Sequence, residues 1–150
     1  MLRLTKKMRY ALEAVVDIAY NARPAPVQSR EITQRQGIPQ RYLEQVMQQL
    51  VHANILKGVR GPRGGYTLAR ERRRISVGEI IRVIGDTDDN DAEKTETVSA
   101  LGQTVINPLW DEMQAEMMRR FDSITVEDLC KRADKAHVAP EQRKQADFNI

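Results

Sequence analysis

The chain has 150 residues, 41% of them hydrophobic and 5% aromatic, which allows one or two compact units, and its single cysteine excludes a disulfide framework and a multi-thiolate metal site within one chain. No apolar run approaches the ~18 residues that span a bilayer, and the basic N-terminus precedes an amphipathic segment, so we expect a cytoplasmic protein without membrane contact. The net charge is +3, but residues 1–75 carry 15 Lys/Arg against 5 Asp/Glu, whereas residues 76–150 carry 9 against 16. This asymmetry suggests a surface that faces a polyanion, although solvated charges can also cluster by chance.

Three helices are predicted in the first third of the chain. The apolar side chains of residues 3–22 recur every three or four residues, which predicts an amphipathic helix with Leu4 on its apolar face and Asp17 on its polar face. A second helix fits Ser29 to Gln36 and ends at Gly37, and a third has Pro39 in its first turn. The third helix has one apolar stripe, and its opposite face carries long polar side chains, many of them glutamine amides.

A β-hairpin follows, because the hydrophobic period changes from helical to alternating. We predict a wing over about residues 55–69, with a glycine-rich tip at residues 61–65. Glycines at this tip allow the main chain to approach a ligand closely.

The second half of the chain is predicted to be helical around an acidic loop. Ser76 and Glu79 form a capping box for a helix that ends at Gly85. Residues 86–97 are acidic and almost without apolar side chains, which favours a loop, and residues 137–150 are expected to form a flexible tail. Residues 98–136 contain a long helix, which Pro108 either starts or kinks, and a final short helix that begins at Thr125 and Asp128.

These elements predict a mainly α fold with a small β-hairpin, in the order of a winged helix-turn-helix domain over residues 1–85 followed by a long dimerisation helix. Gln, Arg and Glu on a helix can pair with base edges in the major groove, and arginines on a wing can enter the minor groove. Basic side chains at the start of the first helix can bind phosphates. The predicted DNA-contacting residues are Lys6, Arg9, Gln40, Arg41, Tyr42, Glu44, Gln45, Gln48, Arg60, Arg63 and Gly64.

Four segments of the chain resemble one family of bacterial regulators. They are residues 2–11 (LRLTKKMRYA), 42–45 (YLEQ), 59–66 (VRGPRGGY) and 77–81 (VGEII). In this order they resemble the IscR/NsrR/CymR family of bacterial transcription regulators, over most of residues 2–136. The resemblance implies a homodimer on a roughly palindromic operator, with Tyr42, Glu44 and Gln45 in or beside the recognition helix and Arg60 and Arg63 in the wing.

The long helix independently favours a dimer, since it has more apolar surface than one face hides in so small a body. The same stripe also fits the core of a single chain, and the two interpretations are compatible. The predicted interface residues are Leu101, Val105, Leu109, Trp110, Met113, Met117 and Phe121.

The chain departs from the family where many members hold an iron–sulfur cluster. The resemblance implies three cysteines between the fourth helix and the long helix, but residues 86–110 contain none, and Asn107 stands near the place of an expected histidine. Cluster ligation depends on thiolates, so we predict no cofactor and no metal, with an atypically ligated cluster as the alternative. A calcium loop from Asp86 is disfavoured because Asp91 and Thr97 stand where glycine and glutamate are needed.

Cys130 has two interpretations, packing on an apolar helical face or service as a thiol sensor. No catalytic constellation is evident, which argues against an enzyme. We therefore expect a sequence-specific repressor that binds an inverted repeat of double-stranded DNA as a homodimer; the rival is a protein-interaction module that has lost specific DNA binding. The signal that would release the repressor from DNA has three candidates: a regulatory protein partner on the acidic half, a small molecule in the dimer body, or a change at Cys130.

Overall fold

The computed structural model describes residues 3–88 and 99–138, and within these ranges it contains six α-helices and a two-stranded antiparallel hairpin. This confirms the predicted mainly α fold with a small hairpin. The elements are α1 (Lys6–Tyr20), α2 (Ser29–Gln36), α3 (Gln40–His52), β1 (Leu56–Val59), β2 (Gly65–Leu68), a 3-10 turn (Arg72–Arg74), α4 (Val77–Asp88), a π-helical segment (Gly102–Ile106), α5 (Asn107–Asp122) and α6 (Val126–Lys135).

Helix α1 is the centre of the core, and α3, α4 and α6 pack around it. The helix starts where the Thr5 hydroxyl accepts a hydrogen bond from the Met8 amide at 3.1 Å. Ala11 and Ala14 are fully buried, and their small side chains let the neighbouring helices approach α1 closely. Leu4, which periodicity had placed on the apolar face, lies before the helix and is 60% exposed.

Asp17 corrects the sequence prediction, because this carboxylate is buried at 2% exposure rather than solvated. Arg35 of α2 donates to it through Nε at 2.9 Å and through a terminal nitrogen at 2.8 Å. The Gln36 amide donates to the same carboxylate at 2.8 Å. These bonds fasten α2 to α1 and fix the first half of the helix-turn-helix.

Helices α2 and α3 are separated by a short turn whose residues have the predicted special geometry. Gly37 has φ of 66°, a left-handed conformation that glycine adopts without strain. Pro39 is the N-cap of α3, one position earlier than predicted, so its missing N–H costs no helical hydrogen bond.

The wing is wider than the hairpin predicted from sequence. Gly58 pairs with Tyr66 across β1 and β2, and Val27 pairs with Tyr66 on the other side through two backbone hydrogen bonds of 3.0 and 2.8 Å. A side chain at Gly65 would place its Cβ 2.4 Å from the Val27 carbonyl oxygen, so only glycine permits this pairing. The start of the helix-turn-helix and the wing therefore form one unit.

Helix α4 begins where predicted, but only the serine half of the predicted capping box forms, and the helix ends later than predicted. The Ser76 hydroxyl accepts from the Glu79 amide at 3.1 Å, and the Glu79 carboxylate pairs with Arg70 at 2.6 Å. The helix continues to Asp88, three residues into the predicted acidic loop. The rest of that loop and the tail beyond residue 138 lie outside the described residues.

The long helix has a π-helical lead-in rather than a separate turn before Pro108. The amide of Asn107 donates to the Gly102 carbonyl, five residues back, and α5 continues directly from this widened segment. Proline has no N–H, and in a regular helix its ring clashes with the carbonyl four residues earlier; the wider turn accommodates this defect.

Two contacts join α4 to the C-terminal helices. The Arg82 guanidinium donates to both carboxylate oxygens of Asp122 at 2.6 and 2.7 Å, and these bonds lower the pKa of Asp122. The backbone N–H of Val77 donates to the Ile124 carbonyl at 2.8 Å, and the N–H of Val126 donates to the Ile75 carbonyl at 2.9 Å. No helix among the described residues is long and apolar enough to cross a membrane.

Candidate nucleic-acid interface

Helix α3 presents a clean division between core and solvent. Leu43, Val46, Met47 and Leu50 are fully buried, at 0% exposure each. The residues predicted to read bases lie on the other side and are exposed: Gln40, Arg41, Glu44, Gln45 and Gln48. Gln40, Glu44 and Gln48 follow one another at intervals of four residues, and Arg41 and Gln45 form a second such row beside them. The two rows make one helical face, and a helix fits the width of a major groove.

A hydrogen-bond chain orders the start of that face. The Thr33 hydroxyl of α2 donates to the side-chain Oε1 of Gln40 at 3.0 Å, and the side-chain Nε2 of Gln40 donates to the Glu44 carboxylate at 3.2 Å. The side chains of the N-terminal turn of α3 are thus ordered against α2, which reduces the conformational entropy that they would lose on binding any ligand.

Tyr42 differs from the other predicted contacts because it is half-buried rather than exposed. Its ring lies 5.8 Å from the ring of Tyr10 in α1, measured between centroids, and the Arg41 guanidinium lies 5.2 Å from its centroid. The tyrosine therefore both packs α3 on α1 and supports the Arg41 side chain beside it.

The predicted basic contacts of the wing and of α1 are on the surface. Arg60 and Arg63 are exposed at the wing tip, and Lys6 and Arg9 are exposed in the first turns of α1. Gly64 is partly buried, and a Cβ there would lie 2.1 Å from the Val59 carbonyl oxygen. Gly64 thus shapes the tip on which the two arginines stand.

The structure adds Arg30 to this surface, a residue that the sequence analysis did not select. Arg30 is exposed at the start of α2, and it lines a groove of about 370 Å³ together with the glycine-rich wing tip. The Val27–Tyr66 pairing brings these segments together. The signal in the sequence was weak, because a basic residue after a helix-starting serine is common on any solvated helix.

The N-terminal part of the predicted dimer interface is an exposed apolar stripe. Its large side chains are between 44% and 64% exposed, namely Leu101, Val105, Ile106, Leu109, Trp110 and Met113. The C-terminal part differs: Met117 is half-buried, and Phe121 packs against the core of its own chain. Monomeric proteins rarely expose a large contiguous apolar patch, so the stripe is a candidate interaction surface.

Cys130 lies on the inner face of α6 and is 5% exposed. Burial raises the pKa of its thiol, and the Arg72 guanidinium offsets only part of that rise. Since the thiolate is the reactive form, this environment favours the packing interpretation over the thiol sensor.

A polar, solvent-facing α3 placed after α2 and followed by a basic wing defines a winged helix-turn-helix DNA-binding protein. A family model described as "Rrf2: Iron-dependent Transcriptional regulator" matches residues 4–132. The chain belongs to the Rrf2 family, and it is a DNA-binding transcriptional regulator.

Relatives and solved structures agree with this assignment. The "HTH-type transcriptional regulator IscR" of Xenorhabdus nematophila is 34% identical over 142 residues, covering 94% of this chain and 87% of that protein. The structure titled "T. potens IscR" has a TM-score of 0.72 and 34% identity, covering 95% of this chain and 96% of that one. The structure of CymR, "the Global Cysteine Regulator of B. subtilis", has a TM-score of 0.70 and 30% identity, covering 88% of this chain and 98% of that one. These relatives are regulators rather than enzymes.

The residues of this chain do not fit a thiolate-ligated iron–sulfur cluster, although the family description names iron. The one cysteine in the sequence, Cys130, is buried in α6, and the segment before α5 has no cysteine at all. Within residues 3–88 and 99–138, no three His, Cys, Asp or Glu side chains are grouped as metal ligands. A cluster held by several thiolates of one chain is therefore incompatible with the donor set.

Protein purified under anaerobic conditions should be colourless, with iron and acid-labile sulfide far below one equivalent per chain. Colorimetric iron and sulfide assays beside the visible absorption spectrum measure this directly. A brown preparation with stoichiometric iron and sulfide would show that an atypical ligand set holds a cluster. The Cys130→Ser variant would then reveal whether the one thiol takes part.

Proposed function

We propose that this chain is a homodimeric repressor that binds an inverted-repeat operator without a conventional iron–sulfur cluster. The observation that carries the proposal is the solvent-facing polar side of α3, joined through the Val27–Tyr66 pairing to a wing with exposed Arg60 and Arg63. The family and its named relatives supply the DNA-binding class. The chain's own surface supports the residue roles below.

The α3 face would read the major groove. Gln45 and Gln48 carry amides that pair with adenine, Arg41 carries the fork that pairs with guanine, and Glu44 can accept from cytosine. Arg60 and Arg63 would enter the flanking minor groove, where arginine follows groove width. Lys6 and Arg9 would bind phosphates, which position the protein without reading sequence.

A second copy of the chain is proposed to cover the apolar stripe of α5. A two-fold pairing repeats the same patch on both subunits, and two such heads meet half-sites about 34 Å apart, one turn of DNA. The exposed fractions of Leu109 and Trp110, 48% and 49%, support this arrangement because both lie on the stripe that the chain itself leaves open.

The release signal is proposed to be a regulatory protein partner that docks on the acidic half. Residues 76–150 carry 9 Lys/Arg against 16 Asp/Glu, so the net charge of this half disfavours contact with DNA and would attract a partner with a basic surface. Occupancy of the operator by the free dimer would block the promoter.

The test is a salt titration of DNA binding, with fluorescence anisotropy as the readout. Genomic fragments and random duplex are compared, for the unaltered chain and for the Gln45→Ala and Arg63→Ala variants. We expect a steep loss of affinity with salt, and at least one genomic fragment that outcompetes random duplex. Arg63→Ala should weaken binding to most sequences, whereas Gln45→Ala should cost about 1–3 kcal/mol at its own base pair and change the preferred base there.

The matched control is Arg119→Ala, an exposed arginine at the far end of α5, which should leave the affinity unchanged. If no genomic fragment outcompeted random duplex, the chain would be an interaction module rather than a specific regulator. Equal, sequence-independent losses from both test variants would remove Gln45 from the reading face.

A further inference from the structure

A cavity of about 490 Å³ lies between α1, α2 and α6, away from the α3 face and from the wing. Its apolar walls come from three segments: Leu12 and Val16 of α1, Leu129 and Ala133 of α6, and Val138 beyond the end of α6. The Tyr20 hydroxyl donates to the Val138 carbonyl and ties that last wall to α1. The volume and the apolar lining are in the range of pockets that hold small organic molecules.

One side of the cavity is polar, and it contains three charged groups. Asp17 and Arg35 form a bidentate pair, with Nε and a terminal nitrogen 2.9 and 2.8 Å from the two carboxylate oxygens, so their charges offset each other. The remaining charge is the Glu13 carboxylate, and the lining is therefore net negative.

Glu13 is in an unusual state for a helix-surface carboxylate. It is only partly exposed, and burial raises its pKa, an effect that Arg9 one turn earlier only partly opposes. In the part of the chain that the structure describes, its carboxylate makes no hydrogen bond and no close ion pair. A half-buried carboxylate beside an apolar cavity is stabilised by any cation that reaches it.

We propose that this cavity is a binding site for a small organic cation, an amine with an apolar body, whose ammonium group pairs with Glu13 while its body fills the space between α1 and α6. The charge of the lining selects the cationic end, and the walls select the apolar body. The site goes beyond DNA recognition, and it joins α1 and α2 of the reading head to α6 of the C-terminal half.

The test uses three probes with one body and different ends: 2-phenylethylamine, 2-phenylethanol and phenylacetate. Chemical shifts of the Leu and Val methyl groups report binding to the full chain. We expect the amine to bind about tenfold or more tightly than the anion, with shifts at Leu12, Val16 and Leu129. Glu13→Gln should abolish the preference for the amine and keep binding of the alcohol, and Ala133→Trp should block all three probes.

Two matched controls lie on the exposed surface of α5, Glu116→Gln for the charge and Ala115→Trp for the volume, and both should bind the probes as the unaltered chain does. Equal affinity for amine and anion, or retention of the preference in Glu13→Gln, would overturn the proposal. The absence of shifts with all three probes would also overturn it, and loss of subunit association in Ala133→Trp would then show that a second copy covers the cavity. DNA binding is measured separately, so its failure would not imitate any of these outcomes.

Discussion

Replacing Leu109 with glutamate should separate the two subunits and lower operator affinity by about 10²–10⁴-fold, the range by which joined binding modules exceed single ones. Leu109 is 48% exposed in the middle of the apolar stripe of α5, so a charge there is tolerated in a free chain. In a dimer the same carboxylate would be buried without a partner, which is strongly unfavourable. Analytical ultracentrifugation and anisotropy with a two-half-site duplex measure the two effects.

The control for this variant is Ala115→Glu, which adds the same charge on the opposite, exposed face of α5. It should leave both the sedimentation coefficient and the affinity unchanged. The far-UV circular dichroism of Leu109→Glu should equal that of the unaltered chain, since the site lies outside the core. A Leu109→Glu protein that stays dimeric at micromolar concentration would remove the α5 stripe from the subunit interface.

Asp17→Leu should destabilise the chain by about 3–5 kcal/mol, the cost of removing one member of a buried ion pair. The leucine would remove the carboxylate to which Arg35, whose side chain is 19% exposed, donates two hydrogen bonds, and it would also remove an acceptor of the Gln36 amide. For a chain of this size the loss corresponds to a melting temperature lower by about 10 °C or more. Thermal unfolding followed by circular dichroism measures it.

The double variant Asp17→Leu, Arg35→Leu separates the cost of a stranded charge from the cost of lost packing. It should recover much of the stability, because two apolar groups of similar size replace a pair whose desolvation was costly. Asp111→Leu, which removes an exposed carboxylate of α5, should change the melting temperature little. If Asp17→Leu and the double variant melted at the same temperature, the loss of stability would come from the missing contacts of the pair and not from an uncompensated charge. If Asp17→Leu melted at the temperature of the unaltered chain, the Asp17–Arg35 pair would not be what anchors α2.

The elements that the sequence predicted well are those whose signals are local. Gly37 ends α2 at the predicted residue, and Thr125 and Asp128 form the capping box that opens α6. Each depends on side chains within four residues of one another, and such signals survive any tertiary context. The exposed face of α3 was equally readable, because its apolar stripe is fully buried.

The features that the sequence did not predict depend on distant contacts. Periodicity placed Asp17 on the polar side of α1, but its partner Arg35 is 18 residues away, and only the packing of α2 buries the pair. The wing is extended by a single backbone bridge between Val27 and Tyr66, and a bridge of one pair leaves no alternating pattern in the sequence. Helix α4 continues to Asp88, although composition alone predicts a loop for its last three residues.

The pairing of Val27 with Tyr66 also limits how this regulator's specificity can change. The segment that leads into α2 and the strand that returns from the wing tip are bonded in both directions, at 3.0 and 2.8 Å. In the proposed complex, the distance along the duplex between the bases contacted by α3 and those contacted by the wing would therefore be set by the backbone. Related regulators would then change their target sequence by substituting side chains on α3 and the wing, while the length of the half-site stayed constant.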